Sequence, residues 1–152
     1  LVTHPHPALR EHTNCIESMG VKERDFLIRM LEHMRTWQGI GLAAPQVAST
    51  QQLIVAEADG DVILWANPKI LESKGKDYMQ EGCLSLPDTL VDVERSAHVW
   101  VRALDTENRK IERKLRGLLA RVVQHEIDHL SGTLIIDHGP ALPKLQEQSH
   151  EA

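Results

Sequence analysis

The chain predicts a single α+β domain: antiparallel β-sheets around a central helix, with an amphipathic helix nearer the N-terminus. Three observations predict it. Apolar residues recur at helical spacing from residue 22 to about 37. The stretch from about 53 to 115 then breaks into short β-prone runs separated by turn residues. Helical spacing returns between 117 and 130. With 152 residues, 41% apolar and 26% charged, residues 1–152 are expected to form one domain with one main core.

The entry His4-Pro5-His6-Pro7 is extended or turning, since each proline turns its predecessor away from the helix. In the first helix Phe26, Leu27, Met30, Leu31 and Met34 form the apolar stripe, and Gly39-Ile40-Gly41 is expected to end it. Strands are expected at Leu53–Ala56 and Val62–Trp65, joined by the hairpin turn Asp59-Gly60-Asp61. Asn67-Pro68 is read as a bend before a further strand at Ile70–Ser73. More strands are expected at Thr89–Val93, Val99–Leu104 and Ile111–Leu115. In the second helix Leu118, Val122, His125 and His129 share a stripe, widened by Leu119, Val123 and Ile127. A short strand at Thr133–Ile136 and a polar tail from Pro140 complete the expectation.

Several function classes fall away. A net charge of −5 argues against nucleic-acid binding by the domain, which needs clustered Lys and Arg. No apolar run approaches the roughly 20 residues of a membrane helix, and the first residues lack the pattern of a secretory leader. Two cysteines make no disulfide framework, so a reduced, cytoplasmic setting is expected.

The chemistry concentrates in His125-Glu126-Ile127-Asp128-His129. Histidines four apart on a helix lie about 40° apart and can reach one metal ion. Glu126 beside them can act as a general base. Two unsatisfied imidazoles in an otherwise apolar helix would be costly, which favours a metal over a chance pair. A catalytic site needs a third ligand and an open position. The longer zincin pattern keeps its glycine at Gly132 but has Ile135 where the third histidine belongs. Glu147 is a remote candidate in the tail. Cys83 is the better one, because a thiolate binds borderline cations well and Gly82 lets the backbone approach closely. Cys15 is expected to be a buried or surface thiol without a role. Gly39 to Gln46 lacks the spacing of a dinucleotide loop and follows a helix, so nucleotide binding is rejected. Its small residues suit a tight backbone wall, and the Gln46 amide suits an oxygen gaining negative charge.

Three motifs in order, Gly39-Ile40-Gly41-Leu42-Ala43-Ala44-Pro45-Gln46, Glu81-Gly82-Cys83-Leu84-Ser85 and Gln124-His125-Glu126-Ile127-Asp128-His129, resemble those of the peptide deformylases. The resemblance covers almost the whole chain. It implies removal of the formyl group from the N-terminal formyl-methionine of nascent proteins, in the cytoplasm, with transient ribosome contact and no membrane. It implies that Cys83, His125 and His129 hold one divalent ion, Fe(2+) natively, with Zn(2+), Ni(2+) or Co(2+) able to replace it. Glu126 would be general base and then acid, and Gln46 with the Leu84 backbone N–H would stabilise the oxyanion. Gly41 and Gly82 would keep the backbone open to an extended peptide. Ile40, Met79, Leu118 and Val122 would line the methionine side chain. Leu90 stands where many members carry Arg or an aromatic. The competing readings are an HExxH-type metallopeptidase, which leaves Cys83 and Gln46 unused, and an inactive metal-binding relative, which would not need Glu126. The remaining histidines, His4, His6, His12, His33, His98, His138 and His150, are expected at the surface.

Overall fold

The computed structural model describes residues 1–143. Glu147, His150 and most of the expected polar tail lie outside them. Helix α1 spans Val21–Thr36 and helix α2 spans Gly117–Leu130. Seven strands lie between or beside them: β1 Gly41–Ala43, β2 Leu53–Ala58, β3 Asp61–Lys74, β4 Asp77–Cys83, β5 Leu86–Arg95, β6 His98–Leu104 and β7 Lys110–Arg116. β1, β2, β3, β6 and β7 form one antiparallel sheet in that order, and β4 pairs with β5 as a separate hairpin.

α1 begins where the Gly20 N–H donates to the Glu23 carboxylate (3.0 Å). Leu27, Met30, Leu31 and Met34 are buried, and they pack on one face of the sheet against Leu42, Leu53, Val55 and Ala66. The helix does not end on a glycine. Gln38 takes the left-handed conformation (φ 61°), and the Gly39 N–H closes the turn on the Met34 carbonyl. α2 covers the opposite face, where Ala43, Ile54, Ala56, Trp65, Val99, Val101 and Leu115 meet Leu119, Val122 and Val123.

β2 and β3 pair through Ala58 and Asp61, leaving Asp59 and Gly60 as the two-residue turn, both with positive φ. Asn67-Pro68 does not separate two strands. β3 runs through it as one strand, and a register shift between Ala66 and Lys69 absorbs the extra residue. A bulge suits Pro68, which cannot donate to the ladder. The Asn67 amide holds both the N–H (2.9 Å) and the carbonyl (2.8 Å) of Ile16. The segment Thr133–Ile136 forms no strand: it leads into a 3-10 turn at Ile135–Asp137, capped by Asp137 accepting from the Leu134 N–H. Its apolar residues instead fill a third cluster with Leu9, Leu86, Val91 and Val93, which seats the β4–β5 hairpin.

Candidate active site

Glu81-Gly82-Cys83-Leu84-Ser85 supplies a bulge and a turn. A register shift falls between Glu81 and Cys83, and Cys83 pairs with Leu86 across the two residues Leu84 and Ser85. Glu81 and Cys83, two apart, turn their side chains toward α2. There the sulfur of Cys83 and ring nitrogens of His125 and His129 lie within 4.8 Å of one another. Cys83 Sγ is 3.4 Å from His129 Nε2. Two ligands at ~2.3 and ~2.0 Å from one ion in a tetrahedral shell stand roughly 3.5 Å apart, so this donor pair fits a shared cation.

The electrostatics fit a cation too. Burial opposes a charge on His125, yet Glu126, Cys83 and Glu81 outweigh it and raise its pKa to about 10. Positive charge is therefore favoured at this point. Burial, with the charges of His125 and Arg95 nearby, pushes His129 well below its ordinary value, leaving it neutral as a ligand must be. Its Nδ1 is buried without a hydrogen-bond partner among the described residues, as is one oxygen of Glu126.

Around these donors lies a buried ionic network. His125 Nδ1 donates to Glu81 Oε1 (2.9 Å), which leaves its other ring nitrogen free to ligate. Arg95 grips Glu81 with two hydrogen bonds (3.0 and 2.9 Å), and Arg121 donates to the same carboxylate. Burial would push Glu81 up, but His125 and Arg95 hold it well below the usual carboxylate range. Arg95 also reaches Asp128 (2.6 Å), which accepts from His138 Nε2 (2.9 Å). Arg121 further binds the Val93 and Asp77 carbonyls, tying α2 to the hairpin. Gln124 holds both backbone groups of Ser96, so this motif residue docks the helix rather than facing the donors.

The reading from sequence assigned no role to Glu81, Arg95, Arg121 or Asp128. One signal was present: Arg121 stands one turn before His125 on an otherwise apolar helix, and an inward arginine demands a buried anion. His138, expected only as a surface residue, joins the network at its rim.

Gln46 is 1% exposed and held rigidly. Its carbonyl accepts from the Ala43 N–H (2.9 Å), and its amide nitrogen donates to Ser85 Oγ (3.0 Å) and lies 3.7 Å from Cys83 Sγ. Glu126 is buried at the floor. Burial raises its carboxyl to about 7, with Glu81 and Asp128 adding to the rise against His125 and Arg95. A Cβ at position 41 would lie 2.2 Å from Glu126 Oε2 and 2.7 Å from Val122, so Gly41 is needed for the approach of β1 to this carboxylate. No such crowding surrounds Gly82, where a Cβ meets only ordinary contacts.

These groups open into a groove of about 1070 Å³. Ile40, Met79, Leu118, Val122 and Leu90 form its apolar walls, and Gly41, Gly82, Leu84, Gln46, Glu126, Cys83 and His125 also face it. His129 lies behind them, almost fully buried. Ile40 and Met79 are about half exposed, at 47% and 48%, leaving apolar surface for an apolar guest. The structure thus brings together the sequence-selected residues. Cys15 is an exposed thiol away from the groove, near Gln52 (3.3 Å).

The model of the polypeptide deformylase family matches residues 1–146. A peptide deformylase of Dictyoglomus thermophilum is 40% identical over 131 residues, 86% of each chain. The crystal structure of peptide deformylase from Thermotoga maritima matches with a TM-score of 0.88 at 37% identity, over 91% of this chain and 95% of that one. A peptide deformylase from Synechococcus elongatus in complex with actinonin matches with a TM-score of 0.87 at 36% identity, over 100% of this chain and 82% of that one.

Proposed function

The chain belongs to the polypeptide deformylase family and deformylates nascent peptides, and we propose that it does so with one divalent cation held by Cys83, His125 and His129. The observation that carries this reading is the convergence of those three donor atoms within 4.8 Å, beside a buried carboxyl and at the floor of an apolar groove. One thiolate and two imidazoles suit Fe(2+), the expected native ion, and also Zn(2+), Ni(2+) and Co(2+). When bound, the cation supplies Lewis acidity, which acidifies water and polarises a carbonyl.

The chain's own residues do the rest. Apolar walls at Ile40, Met79, Leu118 and Val122 take the methionine side chain, worth about 1.5–3 kcal/mol when fully buried. The peptide extends along the wall formed by β1 and β4. Glu126 takes a proton from the attacking water and returns it to the departing amine nitrogen. As the formyl carbon becomes tetrahedral, its oxygen gains charge, and the Gln46 amide with the Leu84 N–H donates to it. Gln46 is suited to this because Ala43 and Ser85 fix its plane beforehand. Collapse frees formate and the peptide amine. The whole chain acts as one domain, and transient contact with the ribosome in the cytoplasm completes the reading. Among the described residues no helix is long and apolar enough to cross a membrane.

The test is formate release from a short formyl-methionyl peptide by protein loaded anaerobically with Fe(2+) or Ni(2+), beside Glu126→Ala. The parent is expected to turn over and the variant to lose about 10²–10⁴-fold, the usual share of a general acid–base. No release by folded, metal-loaded parent would overturn the reading.

A further inference from the structure

The two groups assigned to the oxyanion stand on separate pieces of chain. Gln46 lies in the 3-10 turn Ala44–Val47, which follows β1 of the five-stranded sheet. Leu84 lies in the turn that joins β4 to β5 of the hairpin. No shared ladder sets the distance between them. Residues 2–4, which stand outside all three motifs, are hydrogen-bonded to both turns. The Val2 N–H donates to the Gln46 backbone carbonyl (2.8 Å), and the His4 N–H donates to the Ser85 backbone carbonyl (2.8 Å). The Ser85 hydroxyl donates to the Val2 carbonyl (2.8 Å). The Val2 side chain anchors the segment on the third apolar cluster, the one that seats the hairpin.

These bonds also fix which way the Gln46 amide faces. A hydroxyl has one proton, and Ser85 gives it to Val2. Toward Gln46 the Ser85 oxygen can therefore only accept, and it accepts from the amide nitrogen (3.0 Å). The Ala43 N–H demands the carbonyl end on the other side (2.9 Å). One amide hydrogen is thus taken by Ser85, and the second is left for the groove. Without the Val2 carbonyl the hydroxyl is free to donate, and a flipped amide can turn its oxygen to the groove. There it would repel the charge that develops on the formyl oxygen. Gln46 and Ser85 are both buried, where a mispaired polar group is costly.

We propose that Val2–His4 is a positioning strap for the oxyanion site. Through Ser85 it sets the orientation of the Gln46 amide, and it holds the Gln46 and Leu84 turns at a fixed separation. The proposal rests on the deformylase reading, in which Gln46 and the Leu84 N–H receive the oxyanion. The strap touches none of the reacting atoms and lines no part of the groove. It therefore acts on the chemical step, while the groove walls bind the peptide.

The experiment is steady-state formate release from a short formyl-methionyl peptide by the Ni(2+)-loaded full chain, with metal content and melting temperature measured for each variant. Val2→Pro deletes the N–H given to Gln46, and Ser85→Ala deletes the hydroxyl given to Val2. Each is expected to lower kcat by about 10- to 10²-fold, with KM within about twofold of the parent and metal content unchanged. Combined, they are expected to cost no more than about the larger single loss, because both act through Gln46. Val2→Ile keeps the backbone bonds and is expected to keep the parent's kcat. Ile136→Ala trims the same apolar cluster away from these hydrogen bonds, and is expected to lower the melting temperature with kcat unchanged. Gln46→Ala separates the proposal from the reading beneath it, with an expected loss of about 10²–10³-fold in kcat. If that loss is seen while either Val2→Pro or Ser85→Ala keeps the parent's kcat, the strap alone is overturned. A Val2→Pro loss confined to KM or metal content overturns it too, since the segment is then only structural. If Gln46→Ala keeps the parent's kcat, the oxyanion reading falls and the strap falls with it.

Discussion

The two faces of the five-stranded sheet are built on opposite terms. Under α1 the contact is apolar throughout, with Leu27, Met30 and Met34 against Leu42, Leu53 and Val55. On the α2 side an apolar core gives way to buried charge where the hairpin closes over the helix: Glu81, Arg95, Arg121, Glu126 and His129 are all buried. Burying charge is costly unless every member is paired, and a paired set rarely outdoes a well-packed apolar one. The first face therefore supplies stability. The second gives up some stability to hold His125, His129 and Cys83 in one orientation. One oxygen of Glu126 and one nitrogen of His129 lack hydrogen-bond partners among the described residues, and such groups weigh against stability.

Removing one member of the ionic network separates the two faces most sharply. Arg95→Met leaves Glu81 and Asp128 without their shared cation, and a loss of about 3–5 kcal/mol is expected in chemical denaturation of the ion-free chain. Glu81, which holds His125, is then anchored by Arg121 without Arg95, so metal affinity should fall together with stability. If affinity is unchanged, the network is structural only.

On the apolar face Leu27→Ala is expected to cost about 2–4 kcal/mol in the same assay. Here formate release per folded molecule should stay at the parent's level, because Leu27 sits in the α1 cluster and lines no part of the groove. A variant that loses catalysis in proportion to stability would show that the faces are coupled.

A smaller effect concerns protons. In the ion-free chain the His125 pKa is raised to about 10, so this group is protonated at neutral pH. A ligand must shed that proton, and uptake of Ni(2+) at pH 7 should release about one proton from this group. Calorimetry in buffers of different ionisation enthalpy counts it, and affinity should rise with pH. The linkage runs the other way for ion-free stability. A raised histidine contributes fully below its ordinary 6.5, and the contribution is lost as the pH climbs through about 10. Ion-free protein whose melting temperature holds steady from pH 7 to 10 would contradict this.

Much of this was legible in the chain itself. Period and turn chemistry located both helices, the Asp59-Gly60 hairpin and most strands, because those signals are local. The three motifs carried the donor set, Glu126 and Gln46, since ligand chemistry depends on residue type and short spacing. The reading failed where distant residues decide. Asn67-Pro68 looks like a bend, but pairing with β6 carries β3 through it as a bulge. Thr133–Ile136 has strand-like residues but finds no neighbour to pair with, so its apolar side chains settle under the hairpin. Gly41 was assigned to peptide access, and its closer constraint is the Glu126 carboxylate, 85 residues on and 2.2 Å from its missing Cβ. Glu81 meets Arg95, Arg121 and His125 across 14, 40 and 44 residues. Sequence by itself determined most element types and selected the candidate groups, because propensity and ligand chemistry are properties of neighbouring residues. Only the tertiary structure decided which charges meet, because Coulomb energy and desolvation depend on distance and burial, and neither is written along the chain.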